Sequence, residues 1–363
     1  MQRSRVTPVI AAAAFATLIL AGCAAAPAPV EDGAASDFLP CAVSDLTGFD
    51  DKDFNELTWN GVVAASEELG VEPKAAESAS EDQYSGNITA LLDENCDFIV
   101  AVGFALAAAT RDAALIETDV NFALIDSTVN NDDFSPLELD NVKPVLFDTA
   151  QAAALAGYLA AGATKTGVVG TYGGMAFPSV TVFMDGFSDG IDYYNEVHST
   201  SVRLLGWDKE AQNGLFVGSF NDQNAAKTLT SGLLDQNVDI IMPVAGTLFK
   251  ASVEAMIDRG TDGAIIGVNS DAFVSAPEYS QFYLTSVLKN LTTATKVVTL
   301  AAGAGEFDNT PYVGTLENDG VGIAPTHEWE SKLDPALLAE VEQMKADIIS
   351  GAFVVTSQSS PKN

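Results

Sequence analysis

The chain has 363 residues, 47% of them hydrophobic, with 50 acidic against 17 basic side chains and a formal net charge of −33. A field of that sign repels phosphate backbones and anionic headgroups, which argues against nucleic acid as a partner. With only two histidines, and three cysteines in no C-x-x-C pair, a zinc site is not expected, and no cofactor is called for.

At the start, Arg3 and Arg5 precede an almost wholly apolar run from Val9 to Leu20. The run is shorter than the roughly 20 residues of a membrane span but suits an export signal. It ends in Leu20-Ala21-Gly22-Cys23, which resembles a bacterial lipobox. The reading is a lipoprotein signal over 1–22, lipid on the Cys23 thiol, and a flexible tether over 23–37. That placement is extracytoplasmic, anchored to the cell membrane by lipid alone. The remaining body, about 325 residues, is more than one small core suits and calls for two lobes. Cys41 and Cys96 each precede an apolar strand-like run. In an oxidising compartment they are a candidate disulfide, if the two strands are parallel neighbours; the alternative is two buried thiols.

Along the body, continuous apolar runs alternate with helical periodicity. A short strand over Cys41 to Ser44 ends at Asp45. A helix over Phe54 to Leu69 follows, with Phe54, Leu57, Gly61, Ala65 and Leu69 at helical spacing. Further strands are expected at Phe98 to Val102, Phe122 to Ile125 and Val145 to Phe147, the last leading into an Ala-rich helix, Thr149 to Ala163. A second series starts with a strand at Gly167 to Thr171 and a helix reaching about Tyr193. It continues with strands at Leu215 to Val217, Ile240 to Pro243 and Ala264 to Val268. Repeated β-α-β units of this kind form parallel sheets covered on both faces, so the fold class is α/β with two doubly wound lobes. Ligands in such sheets bind beyond the carboxyl ends of the strands, where Asp45, Phe104, Asp126, Gly173-Gly174, Gly246 and Asp271 stand.

At those strand ends the sequence resembles a known family. Gly48-Phe49-Asp50-Asp51-Lys52-Asp53-Phe54-Asn55 is similar to the family signature G-I-D-D-K-S-F-N. In order after it come Ile125-Asp126, Gly173-Gly174-Met175, Pro178-Ser179-Val180, Gly186-Phe187 and Gly218-Ser219-Phe220-Asn221-Asp222. Ala245-Gly246, Val268-Asn269-Ser270-Asp271 and Leu284 to Asn290 complete the set. Together they resemble the basic-membrane-protein, or purine nucleoside receptor, family of ABC-transporter substrate-binding lipoproteins. The resemblance implies a type I periplasmic-binding-protein fold with a multi-strand hinge. Its lobes would be 38–164 plus 281–306 and 165–280 plus 307–363, and an ABC permease would be its partner. It implies that Phe54 stacks on a nucleoside base, purine by the family's habit, with Asp45 and Asn55 beside it. Asp126 would bind from the same lobe, Gly246 would line the cleft, and Asp271 and Lys289 would hold sugar hydroxyls. Thr247-Leu248-Phe249 departs from the family's Gly-rich turn, so Leu248 or Phe249, with Phe104, are further candidates for the pocket wall.

The chemistry is coherent without the family. A flat π-face calls for an aromatic plate, and a diol can donate to carboxylates and accept from an ammonium. Each residue also has a structural alternative: Phe54 can face the core from the first turn of its helix, and Asp126 can cap the next one. Other motifs carry less. Asp51-x-Asp53-x-Asn55 begins like a calcium loop, but Glu56 and Val62 stand where Gly and the bidentate Glu are needed. Gly186-Phe187-Ser188-Asp189-Gly190 matches a nucleophile elbow but lies inside a helical pattern, where its glycines suit close helix packing. The chain is therefore read as a binding protein and not an enzyme. A nucleoside hydrolase and a surface sensor are the alternatives.

Overall fold

The computed structural model describes residues 38–133 and 135–361. The expected signal, tether and lipid-bearing Cys23 lie outside the described residues. The first half of the body runs β1 (Pro40–Val43), α1 (Phe54–Leu69), β2 (Lys74–Ala76), α2 (Tyr84–Asp93), β3 (Phe98–Ala101), α3 (Ala107–Ile116), β4 (Asn121–Ile125), β5 (Val142–Phe147) and α4 (Thr149–Ala163). Then follow β6 (Val168–Gly173), α5 (Pro178–His198), β7 (Arg203–Leu205), the ribbon β8 (Trp207–Asp208) and β9 (Asn213–Gly214), α6 (Gln223–Leu234), β10 (Ile240–Val244), α7 (Phe249–Arg259) and β11 (Ala264–Asn269). The chain finishes with α8 (Ala272–Ser275), β12 (Tyr283–Lys289), α9 (Leu291–Gly303), β13 (Tyr312–Gly314), β14 (Val321–Ile323) and α10 (Pro335–Ser350).

Two six-stranded sheets result. The first has the order β13-β5-β4-β3-β1-β2 and is parallel throughout. The second has the order β14-β12-β11-β10-β6-β7, with only β14 antiparallel. Strands such as Phe-Ile-Val-Ala of β3 and Ile-Ile-Met-Pro-Val of β10 are buried at every position, as strands covered on both faces must be. Cys41 and Cys96 are joined in a disulfide at a Cα separation of 6.0 Å, at the start of the paired strands β1 and β3.

The chain passes between the sheets three times: β5 to β6 through α4, β12 to β13 through α9, and β13 to β14. This corrects the lobe boundaries expected from sequence. The strand at 283–289 lies inside the second sheet and not the first, and β13 is an edge of the first sheet and not the second. Helix α4 packs on α5, α10, β12 and β14, and so belongs with the second sheet, whereas α9 packs on α1 of the first. An apolar run shows that a strand forms, but its neighbours in the chain do not say which sheet it joins. The expected strand at Leu215 to Val217 also differs. The edge beside β6 is already taken by β7 up to Gly170, so Phe216 pairs only with Gly173, prolonging that edge by a single bridge.

Helix α4 is buried on nearly every side, as its Ala-rich sequence permits. Its contact with α5 is set by the two glycines of the false nucleophile elbow. A Cβ on Gly186 would lie 2.2 Å from the Ala150 carbonyl oxygen, and one on Gly190 would lie 1.9 Å from that of Ala154. Because those obstacles are backbone, Gly190→Ala must push the helices apart and should destabilise the fold by about 1–3 kcal/mol or more. Thermal unfolding checks this; an unchanged midpoint would mean the helix pair is not packed so closely.

Candidate functional site

The carboxyl ends of both sheets face one cavity of about 320 Å³, within the range of small-molecule pockets. From the first lobe it receives Asp45 after β1, Asp53 and Phe54 at the head of α1, Phe104 after β3 and Asp126 after β4. From the second it receives Phe183 of α5, Phe220, Gly246 after β10, Asn269 at the end of β11 and Lys289 at the end of β12.

Local capping explains how the first-lobe loop is held. Asp51 accepts the backbone N–H groups of Asp53 (2.9 Å), Asn55 (3.0 Å) and Glu56 (3.0 Å), which satisfies the open donors of the first turn of α1. Asn55 is fully buried, and its side-chain amide donates to Asp45 (2.9 Å), Thr47 (2.7 Å) and Asp51 (3.0 Å). It therefore holds Asp45 from behind. Asp45 also takes the Thr47 N–H (2.8 Å) and hydroxyl (2.7 Å), and burial raises its carboxyl above the usual range against the pull of these bonds. Phe54 is seated because the facing residue, Gly103, has no side chain: a Cβ there would come 3.3 Å from the Phe54 ring.

Opposite charges meet at the floor. The Lys289 ammonium donates to the Asp126 carboxylate, an ion pair between the two lobes whose side chains are 3% and 8% exposed. Burial pushes Asp126 up, and Lys289 opposes that shift. The same ammonium lies 5.6 Å from the Phe54 ring centre, 5.0 Å from Phe183 and 5.8 Å from Phe147, a cation held over aromatic faces. At the rim, Phe104 stacks on Phe177 of the other lobe with ring centres 3.8 Å apart, and lies 6.0 Å from Phe220. The lobes thus touch through both an ion pair and an aromatic contact.

Of the residues expected from sequence, Asp45, Phe54, Phe104, Asp126, Gly246 and Lys289 line this one cavity. Four others do not. Asn55 lies behind it, as described. Leu248 and Phe249 are buried in the hydrophobic core of the second lobe, because the turn after Gly246 carries them under β10 instead of into the cleft. Asp271 caps α8, accepting the Phe273 N–H (3.1 Å), and meets His327 Nε2 at 2.8 Å. It lines a separate crevice on the other side of Asn269 and Lys289, which border both spaces. Val268-Asn269-Ser270-Asp271 meets the cavity through Val268 and Asn269, since β11 runs one residue past its expected end at Val268. Sequence reading also passed over Asp53, Phe183 and Phe220. Asp53 and Phe220 stand inside the motifs that carry the family resemblance, which gave neither of them a contact role.

Two α/β lobes that close on a single polar and aromatic cavity define a bilobal binding protein. Residues 39–358 match the family described as ABC transporter substrate-binding protein PnrA-like, and the chain belongs to that family. Its members bind and deliver substrates and are not enzymes. The chain is 29% identical to Basic membrane protein A of Borreliella burgdorferi over 311 residues, 85% of each chain. It is 26% identical to the ABC transporter nucleoside-binding protein BmpA of Lactococcus lactis over 379 residues, 98% of this chain and 100% of that one. Its fold is that of an ABC-transporter solute-binding protein from Aeropyrum pernix, with a TM-score of 0.75 and 24% identity over 88% of this chain and 94% of that one. Among the described residues no helix is long and apolar enough to cross a membrane.

Proposed function

We propose that this substrate-binding protein captures a nucleoside in the interlobe cavity and passes it to an ABC permease, while lipid on Cys23 holds it at the outer face of the cell membrane. The observation that carries the reading is the pairing, in one space, of the Phe54 and Phe220 rings with the carboxylates and amide of Asp45, Asp53, Asp126 and Asn269. Rings offer faces to a base, and carboxylates accept the hydroxyl protons of a ribose. The relative from Lactococcus lactis, by its name a nucleoside-binding protein, supports the same ligand class.

Charge narrows the class. Asp45, Asp51, Asp53, Glu81 and Asp126 line the cavity, against a single cation, Lys289, already paired with Asp126. A phosphate would enter a field of its own sign with no free cation to meet it. In a thermal-shift screen, inosine, guanosine or adenosine at 100 times its Kd should stabilise the protein by about 2.7 kcal/mol. For a protein of this size that raises the unfolding midpoint by several degrees. The corresponding monophosphates should leave it unmoved. A panel in which no nucleoside shifts the midpoint, while sugars or free bases do, would replace this ligand assignment.

A further inference from the structure

We infer that Asp53 is a proton-linked clasp: its carboxylate fastens the second lobe onto the first, and its protonation sets how firmly the cleft holds shut on a ligand. The inference rests on the binding reading above but not on which ligand fills the cavity.

Asp53 occupies the N-cap position of α1, where an Asp side chain ordinarily accepts an N–H of its own helix. Here it makes no such bond. Asp51 does that work instead, which leaves the Asp53 carboxylate free to reach across the cleft. There Oδ2 accepts the Asn269 side-chain amide (3.0 Å) and Oδ1 accepts the Ser270 hydroxyl (2.9 Å), both at the end of β11. The end of β10 packs on it as well: a Cβ on Gly246 would lie 3.7 Å from Oδ2. One first-lobe side chain thus touches two strand ends of the second lobe while lining the cavity, and it is only 5% exposed.

The charged groups facing it are few. Asp51 lies on its own segment and Lys289 at the end of β12, the latter paired with Asp126; the β10 and β11 ends present only Gly246, Asn269 and Ser270. Burial raises the carboxyl to about 7 and Asp51 adds to the rise, against the pull of the Asn269 and Ser270 bonds and of Lys289. When the lobes part, water reaches the group and its ordinary value near 3.8 returns. The closed form therefore binds more protons than the open form between about pH 4 and pH 7. Closure and affinity must strengthen as pH falls through that window and weaken as pH rises through 7.

The test is calorimetric titration of inosine, guanosine and adenosine at pH 8 and pH 5.5, with Asp53→Asn alongside. With the carboxyl raised to about 7, Kd should be on the order of 10-fold lower at pH 5.5 than at pH 8, with about 30-fold as the ceiling for a ligand-free protein that is wholly open. Asp53→Asn, which lacks this group, should show a pH response at least threefold smaller than the wild type, the remainder coming from Asp45 and Asp126, whose carboxyls burial also raises. A wild-type change below threefold, or an equal pH slope in Asp53→Asn, overturns the clasp. Small-angle scattering of the ligand-free protein gives an independent reading: its radius of gyration should fall from pH 8 to pH 5.5 in the wild type and not in the variant. If no nucleoside binds at either pH, the ligand reading fails, and the scattering series alone decides the clasp, a flat wild-type curve refuting it.

Discussion

Replacing Lys289 with Met should weaken ligand binding on the order of 10²–10³-fold while leaving the ligand-free protein folded. Met preserves much of the side chain's length and its contact with the rings of Phe54, Phe147 and Phe183, but removes the ammonium that they surround. Asp126 is then left in the closed cleft as an unpaired, buried carboxylate, a loss of about 3–5 kcal/mol where such pairs have been broken. The cost falls on closure because Lys289 ends a strand of one lobe and Asp126 follows a strand of the other. With the lobes apart, water can solvate both. A double-mutant cycle with Asp126→Asn makes the claim specific: the second change should recover part of the affinity, since a neutral amide is cheaper to bury than a lone charge. Equal affinity in Lys289→Met by calorimetry, or a loss confined to the unfolding midpoint, would show that the pair serves the fold and not the ligand.

Phe54→Ala should raise Kd by about 5- to 150-fold, the range set by base–aromatic stacking at about 1–3 kcal/mol. The ring is positioned by packing against Gly103 of its own lobe, so it is ordered before a ligand arrives and little entropy is lost on stacking. Phe54→Leu separates stacking from the filling of space. Leu restores most of the apolar volume but presents no flat face, so its Kd should fall between those of Phe and Ala. If Leu binds as tightly as Phe, the residue is a hydrophobic wall and a planar base is not what it recognises.

Much of the first lobe's contribution was legible in the residues themselves. Asp45, Phe104 and Asp126 each stand directly after, or within a few residues of, an apolar run, and Phe54 opens a helix of clear periodicity. In a parallel sheet, strand ends converge on one edge, so locating the ends locates the cavity. The second lobe was harder for the same reason. The resemblance points to Asp271, yet β11 continues through Asn269, and the acid two residues later is drawn away to α8 and His327. Leu248 and Phe249 are expected in the pocket wall, but the turn after Gly246 buries them in the core of the second lobe.

What the amino-acid order determined alone is local: which runs become buried strands, where helices begin, that glycines 186 and 190 sit within a helix, and how much negative charge the body carries. These follow from side-chain period and backbone preference over a few residues. What only the tertiary structure decided are the meetings between distant segments: the strand at 283–289 joining the second sheet, Lys289 reaching Asp126, and Asp53 leaving its own helix to bind Asn269 and Ser270. The two side-chain meetings span more than 160 positions, and the strand's choice of sheet turns on where the chain crosses between the lobes; no short-range period carries that information. Their geometry exists only once both lobes have folded and closed.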